Sequence, residues 1–400
     1  MNSETNISVK NHLKSPVFKL KTFLLVTILL TGGLSYGQIK IRLFADRKPE
    51  TLFFSVTGGK YLMYDFIGDT IRLAKGDIVV ISDFNGKLGV KPRNVSGFFS
   101  DSLIIEALEG DASFYLKADN SEKRFYSGDL KVVADLNTIL IINSCDEEKY
   151  IEGVVIAEGG GGRNTEYFKT QAILARTYLY KYRNKHLIDG YNLCDGIHCQ
   201  AYDGLCTDSV VSRATMSTKG LVILDSDKNL IISAFHSNCG GQTASSEDVW
   251  LTSVPYLRSV KDPYCVSSRN SAWQRTYNAD EWMNMIHRLS HTSAEINASD
   301  IGYQQENRTT DYKAGQISIP FRNIRSELNL KSAYFSVLPD SNKILLKGRG
   351  YGHGVGLCQE GAIVMAAKGF SYMQIINFYY FGVSIADIGT AKKINNEEIR

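Results

Sequence analysis

Residues 146–179 read DEEKYIEGVVIAEGGGGRNTEYFKTQAILARTYL, and within this stretch the period of the chain changes. Before it, short apolar runs alternate with polar residues; from Asp146 onward apolar residues recur at helical spacing. Asp146 is suited to cap a helix whose apolar positions are Tyr150, Ile151, Val154 and Val155. The run Gly159-Gly160-Gly161-Gly162 ends that helix, because ordering glycine carries a large backbone entropy cost. A second helix opens after Asn164, with Glu166 in its first turn. On it Phe168, Ala172, Ala175 and Leu179 form one buried stripe.

Working back from Asp146, Ile39 to about Ile142 is β-like throughout. Ile39, Ile41 and Leu43 alternate with polar residues, and Leu52 to Val56 ends at Gly58-Gly59. Ile78 to Ile81 leads to Asn85-Gly86, a hairpin pair. Leu103 to Ile105, Phe114 to Leu116, Leu130 to Val133 and Ile139 to Ile142 continue the series. Working forward, a Cys/His-bearing segment precedes a short helix near Val211 to Met216 and strands at Leu221 to Leu224 and Leu230 to Phe235. A polar, linker-like stretch from Ser293 to Tyr312 follows, then β segments, a Gly-rich loop and a helix from about Gln359. The expected fold class is α+β: a β-rich amino-terminal region, then a mixed α/β domain with a Gly-rich loop.

The 400 residues are 44% hydrophobic and 22% charged, which excludes a disordered chain. A net charge of +3 offers no field for nucleic acid, so no nucleic-acid partner is expected. Lys10, Lys14, Lys19 and Lys21 precede the apolar run Phe23 to Leu30, and small residues follow before Gly37. That is the pattern of a secretory signal over residues 1–37, since the run is too short to span a bilayer. An exported protein of the periplasm or cell envelope is expected, in a compartment that permits disulfides.

Glu158 lies seven residues after Ile151 and three after Val155, so it shares the apolar stripe of its helix. Poor solvation favours the neutral carboxyl, which is how a general acid keeps its proton. The alternative is a helix-end Glu paired with Arg163 or Arg176. Arg176 itself can hold a carboxylate or bind a polar substrate group. Cys194, His198 and Cys199 offer three ligands within six residues, and His186 or a water could complete a tetrahedral zinc site. A disulfide between Cys194 and Cys199, or from either to Cys206, is the competing reading. His236 and Ser237 end a strand in a Gly-containing turn, and Cys239 and Cys265 could pair. Residues 348–356 hold five glycines but lack the Lys-Ser/Thr of a P-loop, so no nucleotide is expected. The better reading is a close-packed loop that presents His353 and backbone amides to a ligand.

Several segments, in order, resemble the stage II sporulation protein D / amidase-enhancer family. They are Tyr126 to Leu130, Tyr150 to Val155 leading to Glu158, Lys169 to Tyr178, Cys194 to Gln200, His236 to Gly241, Glu247 to Trp250, and Gly350 to Gly356. The resemblance divides the chain into residues 38–125, β-rich; 126–386, a sporulation protein D-like catalytic domain; and 387–400, a polar tail. It implies work on peptidoglycan glycan strands as a lytic transglycosylase, with Glu158 catalytic. Arg176, Tyr178, His236, Ser237 and His353 are the candidate substrate contacts. It also implies one zinc ion on Cys194, His198 and Cys199, with His186 as fourth ligand. Family relatives are described as enhancers of cell-wall amidases, so a non-catalytic, glycan-binding enhancer with an amidase partner is the second reading. The family usually carries Met-Pro or similar after the Glu, where this chain has Gly159-Gly160, and this difference favours that second reading.

Overall fold

The computed structural model describes residues 37–65, 70–135, 138–159, 164–292, 294 and 296–392. Residues 1–36, which hold nearly all of the expected secretory signal, the glycines at 160–162, Arg163, Ser293 and the tail from residue 393 lie outside the described residues.

The first part consists of β1 (Gln38–Leu43), β2 (Thr51–Gly58), β3 (Lys60–Tyr64), β4 (Thr70–Ala74), β5 (Ile78–Phe84), β6 (Lys87–Pro92), β7 (Phe98–Ser100), β8 (Ser102–Ala107), β9 (Ser113–Ala118), β10 (Arg124–Ser127), β11 (Asp129–Asp135) and β12 (Thr138–Asp146). One sheet has the order β1-β12-β11-β8-β3-β4 and the other β10-β9-β2-β5-β6-β7. Alternation predicts the inner faces: Ile39, Ile41 and Leu43 of β1 are buried while Gln38 and Lys40 face out. The sheets meet through aromatic edges, with Tyr61 of one 5.9 Å from Phe54 and 5.7 Å from Phe114 of the other. The Asn85-Gly86 pair makes the β5–β6 turn with both residues at positive φ, which matches the twist of a two-residue hairpin.

β12 runs directly into the helical part: α1 (Glu147–Gly159), α2 (Thr165–Tyr182), β13 (Leu193–Cys194), α3 (Ser209–Met216) and β14 (Leu221–Leu224). Asp146 accepts from the amides of Glu148 and Lys149, and Asn164 from that of Glu166, so both expected caps form. Phe168, Ala172, Ala175 and Leu179 are all buried. β13 pairs parallel to β1 and extends the first sheet. The strand expected at Leu230 to Phe235 is reduced to a bridge between Leu230 and Leu224 and the two residues of β15 (Phe235–His236).

α4 (Ser246–Trp250) follows, and then a region with its own core: β16 (Ala272–Asn278), α5 (Ala279–Ser290), β17 (Asp311–Ala314), β18 (Ile317–Pro320), α6 (Phe321–Glu327), β19 (Phe335–Asp340) and β20 (Lys343–Arg349). Trp282, Phe321, Phe335 and Leu346 fill that core. The stretch that reads as a linker does not behave as one. Arg308 donates to the carbonyls of Gln242 and Cys239 at 2.6 and 2.8 Å, so polar side chains here bond backbone rather than solvent. β21 (Leu357–Cys358), α7 (Gln359–Ala367), α8 (Tyr372–Tyr379) and β22 (Ser384–Asp387) complete the chain. Among the described residues no helix is long and apolar enough to cross a membrane.

Candidate active site

Glu158 occupies the last turn of α1, and several contacts fix that turn. Gly153, one turn earlier, lies so close to Tyr202 and Gly204 that an added Cβ would overlap the Tyr202 ring and the Gly204 carbonyl. Tyr167 donates to the Gly159 carbonyl at 2.7 Å, and Gln171 donates to the Tyr167 hydroxyl at 3.2 Å. The Glu158 carbonyl accepts from Gln359 Nε2 at 2.7 Å. Its carboxylate Oε1 accepts from the Ala201 amide, also at 2.7 Å. Burial raises the Glu158 pKa above the ordinary carboxylate range. The Ala201 amide opposes this and the Asp203 carboxylate adds to it, so desolvation prevails. Asp203 is held at 3.0 Å by Arg124, which also grips Asp195.

The Ala201 amide comes from the segment that follows the cysteine–histidine motif. His186, Cys194, His198 and Cys199 place their ligand atoms within 4.8 Å of one another. Cys194 Sγ lies 3.7 Å from His198 Nδ1, and Cys199 Sγ 3.6 Å from His186 Nε2. The Cys194 thiol donates toward Cys199 and brings its pKa down to about 6 against the opposing effect of burial. Two sulfurs and two imidazoles at these separations fit a tetrahedral zinc ion. Cys206, the alternative disulfide partner, sits elsewhere, with its thiol on the Asp208 carbonyl.

The Gly-rich loop closes the other side. Gly350, Gly352, Gly354 and Gly356 all have positive φ, and a Cβ at Gly356 would overlap the Ala234 carbonyl. Its first amides are committed within the protein, those of Gly350, Tyr351 and Gly352 bonding the carbonyls of Ser271, Asn238 and Lys331. His236 and His353 meet with ring centroids 5.5 Å apart, and Trp250 stands 5.5 Å from His353. His236 Nδ1–H donates to the Val355 carbonyl at 3.1 Å, while its buried Nε2 has no partner among the described residues. Burial holds the His236 pKa well below its ordinary value and takes that of His353 down to about 4, so both rings are neutral near pH 7. The Ser237 hydroxyl accepts from Asn270 at 3.3 Å, and its carbonyl from the Glu360 amide. β15 pairs parallel to β21, so Gln359, the anchor of Glu158, starts one residue beyond the Cys358 that faces His236.

Two sequence candidates stand apart. Arg176 is 1% exposed and donates to both oxygens of Glu148 at 3.0 and 2.6 Å and to the Leu221 carbonyl at 3.1 Å. It is a buried structural ion pair rather than a substrate contact, and its partner is Glu148, not Glu158. Tyr178 is half-buried against Tyr182, and burial together with Cys199 pushes its phenol pKa up. It therefore backs the cysteine–histidine cluster. Sequence reading missed Ala201, Asp203, Gln359 and Trp250 as neighbours of the site. Gln359 had a signal, since it opens the helix directly after the Gly-rich loop. A cavity of about 350 Å³ lined by Gly241, Gln242, Lys261, Tyr334 and Arg349 does not include Glu158.

The Stage II sporulation protein family profile matches residues 135–224, the segment that carries α1, Glu158, α2 and the cysteine–histidine motif. An uncharacterized protein of Brachyspira hyodysenteriae is 28% identical over 89% of this chain and 94% of its own length. The amidase enhancer of Bacillus subtilis is 25% identical over 90% of this chain, which spans 61% of that longer relative. Stage II sporulation protein D of Bacillus subtilis is 29% identical over 60% of this chain and 74% of its own. With the matched profile covering the helix pair that builds the Glu158 site, and these relatives aligned over much of the chain, the protein is similar to the stage II sporulation protein D and amidase-enhancer family.

Proposed function

We propose that this protein, similar to an amidase enhancer and to stage II sporulation protein D, is an envelope lytic transglycosylase that cleaves peptidoglycan glycan strands stripped of stem peptides. The observation that carries this reading is the environment of Glu158: a carboxyl with raised pKa, one oxygen held by a backbone amide, on a turn tied to Gln359, which follows the Gly-rich loop. In the reaction Glu158 protonates the bridging oxygen as the bond from N-acetylmuramic acid C1 to that oxygen breaks. The resulting carboxylate then takes the proton of the sugar's own C6 hydroxyl as that oxygen bonds to C1. The proton returns to Glu158, no water is consumed, and the product is a 1,6-anhydro sugar. One carboxyl group suffices, unlike the flanking pair of ordinary glycosidases. His353, half-buried, neutral and beside Trp250, is suited to bind sugar hydroxyls, with the ring of Trp250 as an apolar platform and the buried His236 ring packed behind the His353 ring.

Zinc on His186, Cys194, His198 and Cys199 would be structural in this reading. It would fix the segment whose Ala201 amide holds the Glu158 carboxylate, and supplies no reacting group. His198→Ala should lose one equivalent of zinc and lower turnover more than affinity. Unchanged zinc content in that variant would remove the assignment.

The test of the activity is Glu158→Gln with denuded glycan strands and mass spectrometry of the products. Anhydro ends from the wild type and their loss in the variant support the mechanism. Reducing ends would mean hydrolysis, and unchanged turnover would remove Glu158 from it. The name of the Bacillus subtilis relative supports a second reading, a glycan-binding enhancer of a cell-wall amidase without turnover. No products from bare strands, but faster release of peptides from sacculi when an amidase is added, would establish that one instead.

A further inference from the structure

We propose that Cys239, Cys265, Cys358 and Asp262 form a second zinc site, buried and structural, that locks the end of the His236 strand to the start of α7. The four residues come from three separate segments, all are buried, and their ligand atoms lie within 4.8 Å of one another. Cys239 Sγ stands 3.3 Å from both Cys265 Sγ and Asp262 Oδ2.

A Cys239–Cys265 disulfide accounts for only half of this arrangement. It would leave the Cys358 sulfur and a fully buried carboxylate gathered at the same point without a purpose. Asp262 touches a thiol, the Tyr379 hydroxyl at 2.9 Å and the Tyr264 amide at 2.9 Å, none of which is a cation. Buried carboxylates are paired with positive charge or bind metal, and a divalent ion among the sulfurs supplies the missing charge. The surroundings fit thiolate ligands. The amides of Cys239 and Gly361 point at Cys358 Sγ from 3.3 and 3.4 Å, and that of Gly241 at Cys265 Sγ from 3.3 Å. Such donors stabilise charged sulfur and orient it, as outer-shell groups of metal sites do. Cys358 is also the N-cap of α7, where the helix dipole favours negative charge. Room for the carboxylate depends on Gly361, where an added Cβ would overlap Asp262 Oδ2 and the Tyr379 hydroxyl. Three thiolates and one carboxylate select zinc over magnesium or calcium.

The consequence reaches Glu158. Cys358 is followed by Gln359, which anchors the Glu158 carbonyl, and Cys239 follows the strand that carries His236. The second site therefore holds both sides of the candidate active site in register, apart from the cluster built on residues 186–199.

Zinc per chain, measured by plasma mass spectrometry on protein purified without added metal, tests this in the His186→Ala/His198→Ala and Cys358→Ser variants. The first should keep one zinc and show all seven cysteines as free thiols once denatured with chelator. The second should lose one equivalent relative to the wild type. Absence of zinc from the histidine variant, or a mapped Cys239–Cys265 disulfide with five free thiols, overturns the proposal. Should either variant fail to fold, the wild-type chain loaded with cobalt alone decides. Sulfur-to-cobalt absorption of a three-thiolate site in addition to a two-thiolate one supports the second site, and absorption of a two-thiolate site alone refutes it.

Discussion

Replacing Arg176 by Met should unfold this protein far more readily without touching the glycan affinity proposed for it. The side chain is almost fully buried, and its partner Glu148 keeps only 12% of its side-chain surface. Removing the guanidinium strands that carboxylate beside the Leu221 carbonyl, and breaking such a buried pair costs about 3–5 kcal/mol. The Thr215 carbonyl loses a 3.4 Å contact but keeps the Thr218 amide and hydroxyl, so it adds little. In the Arg176→Met/Glu148→Leu double variant no charge remains. The residue is then one unsatisfied carbonyl at about 1–3 kcal/mol. The double variant should therefore be about 2 kcal/mol more stable than Arg176→Met alone. Urea denaturation followed by circular dichroism measures both, and KM for glycan strands is read on the folded fraction. A single variant as stable as wild type but with raised KM would refute the argument and return Arg176 to the substrate.

Asp203→Asn removes a charge that raises the Glu158 pKa, so the alkaline limb of cleavage activity should move to lower pH; an unmoved limb would exclude Asp203 from setting that pKa. The folded-state pKa values of His236 and His353 lie below that of an unfolded histidine. Their stabilisation is complete above pH about 6.5 and fades as pH falls toward the folded values, about 4 for His353. His353→Gln should flatten the fall in melting temperature across that window, and an identical slope would contradict the burial of the ring. Gly153→Ala should cost about 1–3 kcal/mol by overpacking against Tyr202 and should also weaken catalysis by shifting Ala201. Full activity with lost stability would show that the Ala201 contact tolerates the shift.

Local chemistry was legible in the sequence of this protein because it depends on neighbours in the chain. Asp146 and Asn164 cap their helices, Asn85-Gly86 turns a hairpin, and the Phe168 to Leu179 stripe is buried, since each is decided within a turn or two. The gathering of His186, Cys194, His198 and Cys199 was also legible, as these residues lie within fourteen positions of the chain. The desolvation of Glu158 was legible from its place on the apolar stripe, but the partners of Glu158 and Arg176 were not. The partner of Glu158 is an amide 43 residues away, and Arg176 faces a carboxylate 28 residues back. The gathering of Cys239, Asp262, Cys265 and Cys358 spans 119 residues between its ends. Periodicity says which face of an element is buried; only the packing of elements against each other decides what that face meets, and hence whether a buried charge becomes an acid, a structural pair or a metal ligand.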